Sequence, residues 1–219
     1  MEIIKNGKAL LLKLKNPQQV TAVIPKSKEL PDNKVLVNWG VDEARVLNNL
    51  NINAPSPIQK QYRWTGSLTP FAHQKTTSAF LTLNRKAFCF NEQGTGKTAS
   101  AIWASDFLLD RKIIKRVLVV CPLSIMDSAW RDDLFTFAPH RSVDVAYGSS
   151  KQRKQIIEQG AEYVIINYDG VAIVADEISK GGFDLIIVDE ATHYKNAQTT
   201  RWKTLNKLLK PDQWLWMLT

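Results

Sequence analysis

Asn91-Glu92-Gln93-Gly94-Thr95-Gly96-Lys97-Thr98 gathers two glycines, a lysine and hydroxyls into one short stretch, the residue types that hold a chain of phosphates. Gly94 and Gly96 let the backbone curl until successive amides, that of Thr95 among them, face phosphate oxygens. A helix opening at Lys97 adds the positive end of its dipole. Lys97 would place a point charge on the β and γ phosphates, and the Thr98 hydroxyl falls where a Mg²⁺ ion bound to them needs a ligand. The strict form of such a loop has Gly at position 91, where this chain has Asn91, so the loop is a variant. Far along the chain, Asp189-Glu190 closes the apolar run Leu185-Ile186-Ile187-Val188. Asp189 is expected to share the Mg²⁺ ion with Thr98, and Glu190 to orient and deprotonate an attacking water. Lys97 and Glu190 are therefore the expected catalytic pair.

The base of the nucleotide is expected to be adenine rather than guanine. Guanine readers of this kind carry an Asn-Lys-x-Asp element, and neither Asn33-Lys34-Val35-Leu36 nor Asn206-Lys207-Leu208-Leu209 supplies the acid. Thr192 also stands where an Asp-x-x-Gly switch would need its Gly.

With the adenine preference added, the chain resembles the superfamily 2 helicases, and most closely the Swi/Snf-related helicase-like ATPases. Their phosphate loop runs Asp-Glu-Met-Gly-Leu-Gly-Lys-Thr, which accounts for the missing first Gly. Pro70-Phe71-Ala72-His73-Gln74 is similar to their adenine-reading element, in which Gln74 pairs with the base edge. The segment from Val119-Val120-Cys121-Pro122-Leu123-Ser124 through Trp130, and Ile165-Ile166-Asn167-Tyr168-Asp169, are similar to their two segments that contact the nucleic acid backbone. The resemblance thus implies polymer contacts at Pro122, Ser124, Asn167 and Tyr168, made without reading sequence. Asp189-Glu190-Ala191-Thr192-His193-Tyr194-Lys195-Asn196 departs from the family's Asp-Glu-Ala-His-Arg-Ile-Lys-Asn at Thr192 and His193, and His193 is assigned no role. Leu215 to Thr219 resembles the strand that runs into Thr-Gly-Thr-Pro, and the chain stops at the first Thr. Residues 64–219 are accordingly expected to be the first of two RecA-like lobes of a longer protein, with the second lobe and its arginine finger supplied elsewhere. The function implied is ATP hydrolysis with Mg²⁺, driving movement along nucleic acid, with DNA the expected polymer, as helicase or duplex translocase.

The elements that must position these residues follow from hydrophobic patterning. Apolar runs at Ala87–Phe90, Val117–Cys121, Val143–Tyr147, Tyr163–Asn167, Leu185–Val188 and Trp214–Leu218 predict buried strands. Helical stretches at Thr98–Leu109, Ser124–Phe137, Lys151–Gln159 and Thr199–Leu209 alternate with them. That alternation is the signature of an α/β fold, a RecA-like central parallel sheet with helices on both faces. Its strands are uninterrupted because a sheet covered on both faces has no wet side. Residues 1–63 form a small α+β extension, with strands expected at Val20–Ile24 and Val35–Trp39 and a helix at Asp42–Leu50. Ala54-Pro55-Ser56-Pro57 breaks the chain after it.

Composition sets the outer limits. The chain has 219 residues, 44% hydrophobic and 23% charged, enough to bury a core without disulfides or a structural metal. The two cysteines, Cys89 and Cys121, lie inside apolar runs, and no Cys or His pair has zinc-ligand spacing. No apolar run approaches a membrane span, and the lack of secretion signals points to an intracellular setting. The formal net charge is +8, and residues 1–63 hold ten Lys and Arg against five acids, +5 of that total. This excess suits either an added nucleic-acid contact or a lid. Trp64, upstream of Gln74, is the one tryptophan expected near the adenine. Two other readings use the same loop. A nucleotide-gated binding switch would not need Glu190, and a small-molecule kinase would need an acceptor pocket and lid that no motif supplies.

Overall fold

The computed structural model describes all 219 residues. They divide into two compact units, Met1–Arg63 with Thr82–Asn84, and Trp64–Leu81 with Arg85–Thr219.

The first unit is a small α+β body. Its strands are β1 (Glu2–Ile4), β2 (Ala9–Lys13), β3 (Lys28–Leu30) and β4 (Lys34–Asn38), and its helices α1 (Gln18–Thr21), α2 (Val41–Asn49) and α3 (Ile58–Gln61). The strands form an antiparallel sheet in the order β1-β2-β4-β3. Leu10, Leu12, Val35 and Val37 from the sheet pack with Trp39, Ala44 and Leu47. The strand expected at Val20–Ile24 is not there: Gln18–Thr21 is helical, and the turn continues through Ile24, whose amide donates to Val20 O. The β-branched residues suggested a strand, but burial falls on Pro17, Val20 and Ile24 while Ala22 and Val23 are exposed. That period is helical, and tertiary burial overrides the weak local preference.

The second unit holds α4 (Ala72–Leu83, its last residues in the first unit), β5 (Lys86–Cys89), α5 (Lys97–Asp110), β6 (Val117–Cys121), α6 (Asp132–Phe137), β7 (Val143–Val145), α7 (Ser150–Glu158), β8 (Tyr163–Asn167), α8 (Tyr168–Ile173), α9 (Ala175–Lys180), β9 (Leu185–Val188), α10 (Thr200–Leu208) and β10 (Trp214–Leu218). All six strands are parallel, in the order β5-β10-β9-β6-β8-β7. This is the RecA-like α/β sheet that the alternating pattern predicts. Leu118, Val120, Val164, Ile166, Ile186 and Val188 supply one core face against α8, α9 and α10. Burying an aliphatic side chain of this size contributes about 1.5–3 kcal/mol, so a polar interruption in these strands would be costly. Helix α5 is buried from Ala99 to Leu109. Its sequence therefore shows no polar stripe, as a helix encased on all sides requires.

The single helix expected over Ser124–Phe137 has three pitches. A 3₁₀ turn at Leu123–Ile125 leads into a π-helix at Met126–Arg131 and then α6. Met126 and Trp130 are both buried, while Asp127 and Ser128 face out. The wider π turn aims Trp130 inward, and such turns concentrate at functional sites. The strand expected to reach Tyr147 stops at Val145, leaving Tyr147 exposed.

Candidate nucleotide site

Parallel register aligns the carboxyl ends of the strands. Leu218 pairs with Cys89, Met217 with Val188, Val120 with Val188, and Cys121 with Asn167. The residues that follow these strands therefore emerge on one edge of the sheet, where open α/β sheets bind ligands. The phosphate loop follows β5, Pro122 and Ser124 follow β6, Asn167 ends β8 with Tyr168 next, and Asp189 and Glu190 follow β9.

The phosphate loop is shaped by its glycines. Gly94 has φ 78° and Gly96 φ 75°, both in the left-handed region, and Gly96 caps α5. A Cβ on Gly94 would meet nothing, so the loop is open there, whereas one on Gly96 would collide with the Gln74 amide nitrogen. The Lys97 ammonium donates to Asn91 O at 2.9 Å and Glu92 O at 3.3 Å, bending back across the loop. Asn91, standing where Gly was expected, donates from its side chain to Thr77 Oγ1 at 2.9 Å, which ties the loop to α4. Thr95 Oγ1 donates to Glu92 O at 2.7 Å, and the Thr98 hydroxyl makes no hydrogen bond within the chain. Replacing Gly96 with Ala is expected to cost about 1–2 kcal/mol of stability for the left-handed residue and to remove nucleotide binding. Denaturant unfolding and an ADP titration check the two halves of that expectation.

Gln74 lies against the loop. Its Nε2 donates to Thr95 O at 3.2 Å and its Oε1 accepts from the Phe71 amide at 2.9 Å, while His73 Nε2 lies 3.1 Å from the same Thr95 carbonyl. Both ends of the Gln74 amide are thus engaged with the chain in this arrangement. Trp64 seats its ring edge against Trp103 of α5 at 5.8 Å, with the Lys75 ammonium 5.8 Å from its ring centre.

Asp189 is 7% exposed. Its Oδ2 accepts from Trp130 Nε1 at 2.8 Å and its Oδ1 from the Glu190 amide at 3.0 Å. Burial raises its pKa above the ordinary carboxylate value. Those two hydrogen bonds oppose the rise, Glu190 adds to it, and the Lys97 ammonium lowers it. Glu190 is exposed, its carboxylate accepts no hydrogen bond within the chain, and its backbone has φ 50°, ψ 55°. A non-glycine residue held in that region costs about 1–3 kcal/mol, and such outliers cluster where a side chain must point in a set direction.

The segments expected to meet a polymer divide in two. Ser124 is exposed beside Leu123, 54% exposed, and Pro122 is half-buried. Asn167 is half-buried and its Oδ1 accepts from Arg153 Nη1 at 2.9 Å. Tyr168 has a different place from the one expected: it is 7% exposed and its hydroxyl donates to Asp189 O at 2.6 Å. It supports the end of β9 rather than presenting a surface, because α8 begins at Tyr168 and turns the ring inward. Sequence reasoning passed over Trp130 and Arg153. Trp130 lay inside the segment similar to a backbone-contact element, but its spacing to Asp189 is a property of the π turn. Arg153, 6% exposed, also donates to Ala146 O and Gly148 O, and only the fold brings it beneath Asn167.

Residues 37–219 match the family model described as SNF2-related domain. The chain belongs to the SNF2-related domain family. The uncharacterized ATP-dependent helicase of Mycoplasma genitalium is 29% identical to this domain over 120 residues, which is 54% of this chain and 12% of that one. The chromatin-remodeling ATPase INO80 of Aspergillus oryzae is 28% identical over 128 residues, 52% of this chain and 9% of the other. The SNF2-related domain described here therefore spans about an eighth or less of the length of these curated relatives. The Sulfolobus solfataricus SWI2/SNF2 ATPase core in complex with dsDNA shares its fold, with a TM-score of 0.62 at 23% identity over 71% of this chain and 33% of that one. No helix is long and apolar enough to cross a membrane.

Proposed function

We propose that this chain is the nucleotide-binding lobe of a nucleic-acid-dependent ATPase, with residues 64–219 as the lobe and residues 1–63 as an appended basic element. The observation that carries the reading is that the turn with the two left-handed glycines and Lys97 after β5, and the buried Asp189 with the left-handed Glu190 after β9, leave the same edge of one parallel sheet. Lys97 and the amides of Gly94 to Thr98 bind and orient the phosphates. Glu190 takes the proton of the attacking water. Thr98 and Asp189 fit Mg²⁺, since both offer oxygen and each Asp189 oxygen keeps a lone pair beyond its one hydrogen bond. That ion, when bound, neutralises charge on the β and γ phosphate oxygens. DNA as the polymer, and movement along it as the output, are supported by the relatives named for chromatin remodelling and by the dsDNA complex of the shared fold.

In the whole protein a second lobe is proposed to supply the arginine finger, worth roughly 10³–10⁵ in rate. The 219-residue chain alone is therefore expected to bind MgATP and hydrolyse it slowly. The test is ATP hydrolysis with and without duplex DNA, single-stranded DNA and RNA, with Lys97→Ala as control. Nucleotide binding that depends on Lys97, with near-zero turnover, supports the single-lobe reading. Strong Lys97-dependent turnover with one polymer makes the chain self-sufficient and names that polymer. Binding that is unchanged in Lys97→Ala overturns the site.

A further inference from the structure

Two segments on the ligand-binding edge each send one aromatic side chain inward, and both end on Asp189. From the turn after β6, Trp130, fully buried, donates its indole N–H to Asp189 Oδ2 at 2.8 Å. From the end of β8, Tyr168 donates its hydroxyl to Asp189 O at 2.6 Å. One contact holds the side chain and the other the main chain, from separate loops. Both segments also reach the surface close by. Leu123 and Ser124 are exposed one turn before the π-helix that carries Trp130, and Asp169, next to Tyr168, is exposed and paired with Arg201 at 2.8 Å. The Arg201 guanidinium lies 5.3 Å from the Tyr168 ring centre, and His193 packs on the same ring at 5.0 Å. Phenylalanine would fill nearly the same volume at Tyr168, so that hydroxyl contributes aim rather than packing, whereas at the fully buried Trp130 it would also leave a cavity.

From this geometry we infer that Trp130 and Tyr168 are positioning residues that carry displacement of the exposed Leu123–Ser124 segment and of the β8 end at Asn167–Asp169, of which Asp169 is exposed, to Asp189. Polymer contact at those segments then sets the affinity for a Mg²⁺-bound nucleotide, and by linkage the nucleotide sets the affinity for polymer. The inference rests on the proposed roles of Asp189 and of the strand-end segments. It adds two named connections between them.

The experiment uses the full chain and titrates ADP, with Mg²⁺ or with EDTA, in the presence and absence of a short DNA duplex, in wild type, Trp130→Phe and Tyr168→Phe. Duplex is expected to shift the MgADP dissociation constant by about fivefold or more in wild type, and much less when the metal is removed. Each variant is expected to reduce that shift below about twofold, while its affinity for metal-free ADP and for duplex alone stays as in wild type. A residue that only supports packing would change all of these affinities together or none. Wild-type chain whose MgADP affinity ignores duplex overturns the inference, and a variant that keeps the wild-type shift overturns the role of its side chain. Tyr168→Phe loses one oxygen only, so it decides its arm even where Trp130→Phe fails to fold. Failure of wild type to bind ADP at all, or binding unchanged in Lys97→Ala, removes the nucleotide site itself, a result separate from loss of coupling.

Discussion

Glu190→Gln is expected to lower phosphate release by about 10²–10⁴-fold while leaving MgATP affinity within about twofold, because the amide keeps the size of the carboxylate and cannot take a proton. Glu190 follows β9, whereas the loop proposed to hold the nucleotide follows β5. It is exposed, its carboxylate accepts nothing from the chain, and its left-handed backbone fixes the direction in which it leaves β9. Asp189 is not expected to substitute, since it is 7% exposed and its remaining lone pairs are proposed to serve the metal ion. The measurement is single-turnover release of labelled phosphate beside an equilibrium nucleotide titration. A variant that hydrolyses like wild type would make the chain a nucleotide-gated switch, in which Glu190 has no work to do. A variant that loses binding and turnover together would place Glu190 in the binding set instead.

Asp106→Ala is expected to destabilise the chain by about 3–5 kcal/mol, the cost of removing one partner of a buried ion pair. Asp106 lies in α5 and is fully buried. Its Oδ1 accepts from Arg141 Nε at 2.6 Å and lies 3.0 Å from His140 Nε2, and Thr65 Oγ1 lies 3.2 Å from its Oδ2. Arg141 continues to Glu162 Oε1 at 2.8 Å and Asp110 Oδ1 at 2.5 Å. Burial by itself would lower the Arg141 pKa, but the hydrogen bond and charge of Asp106, followed by those of Glu162, raise it, so the guanidinium stays charged. Without Asp106 that cation loses its fully buried carboxylate partner, while the Thr65 hydroxyl keeps Phe137 O as acceptor at 2.6 Å. Asp110→Ala is the control: its side chain is half exposed, and an ion pair of that kind contributes about 0–1 kcal/mol. Urea unfolding of the two variants should separate them clearly, and equal midpoints would show that the network does not hold α5. Asp106 lies nine residues beyond Lys97, about 13 Å along the helix. Nucleotide affinity of the folded Asp106→Ala chain should therefore change little.

Much of the sheet was legible because its strands are buried on both faces. Val117–Cys121, Tyr163–Asn167, Leu185–Val188 and Trp214–Leu218 coincide with the strands in the structure, since no polar residue can enter such a strand without losing burial. Strands β1 and β3 were not legible. Each has three residues, mostly exposed, and pairs at the margin of a small sheet. Helices α8 and α9 were missed for a related reason: at six residues each, they are too short to show a period.

Local sequence carries the residue types that chemistry needs and the strands that bear them: glycines where left-handed backbone is required, Lys97 and Thr98 at a helix start, and two acids at a strand end. Those are local properties, set by backbone sterics and by hydrophobic patterning within a few residues. Packing between remote segments sets which of the expected contacts reach the surface and which face inward. Tyr168 changed sides because a helix begins at it, and Trp130 found Asp189 because a π turn rotates it there. Gln74 met the phosphate loop because α4 packs beside it. Each of these depends on distances between segments remote in sequence, and the packing of the sheet sets those distances.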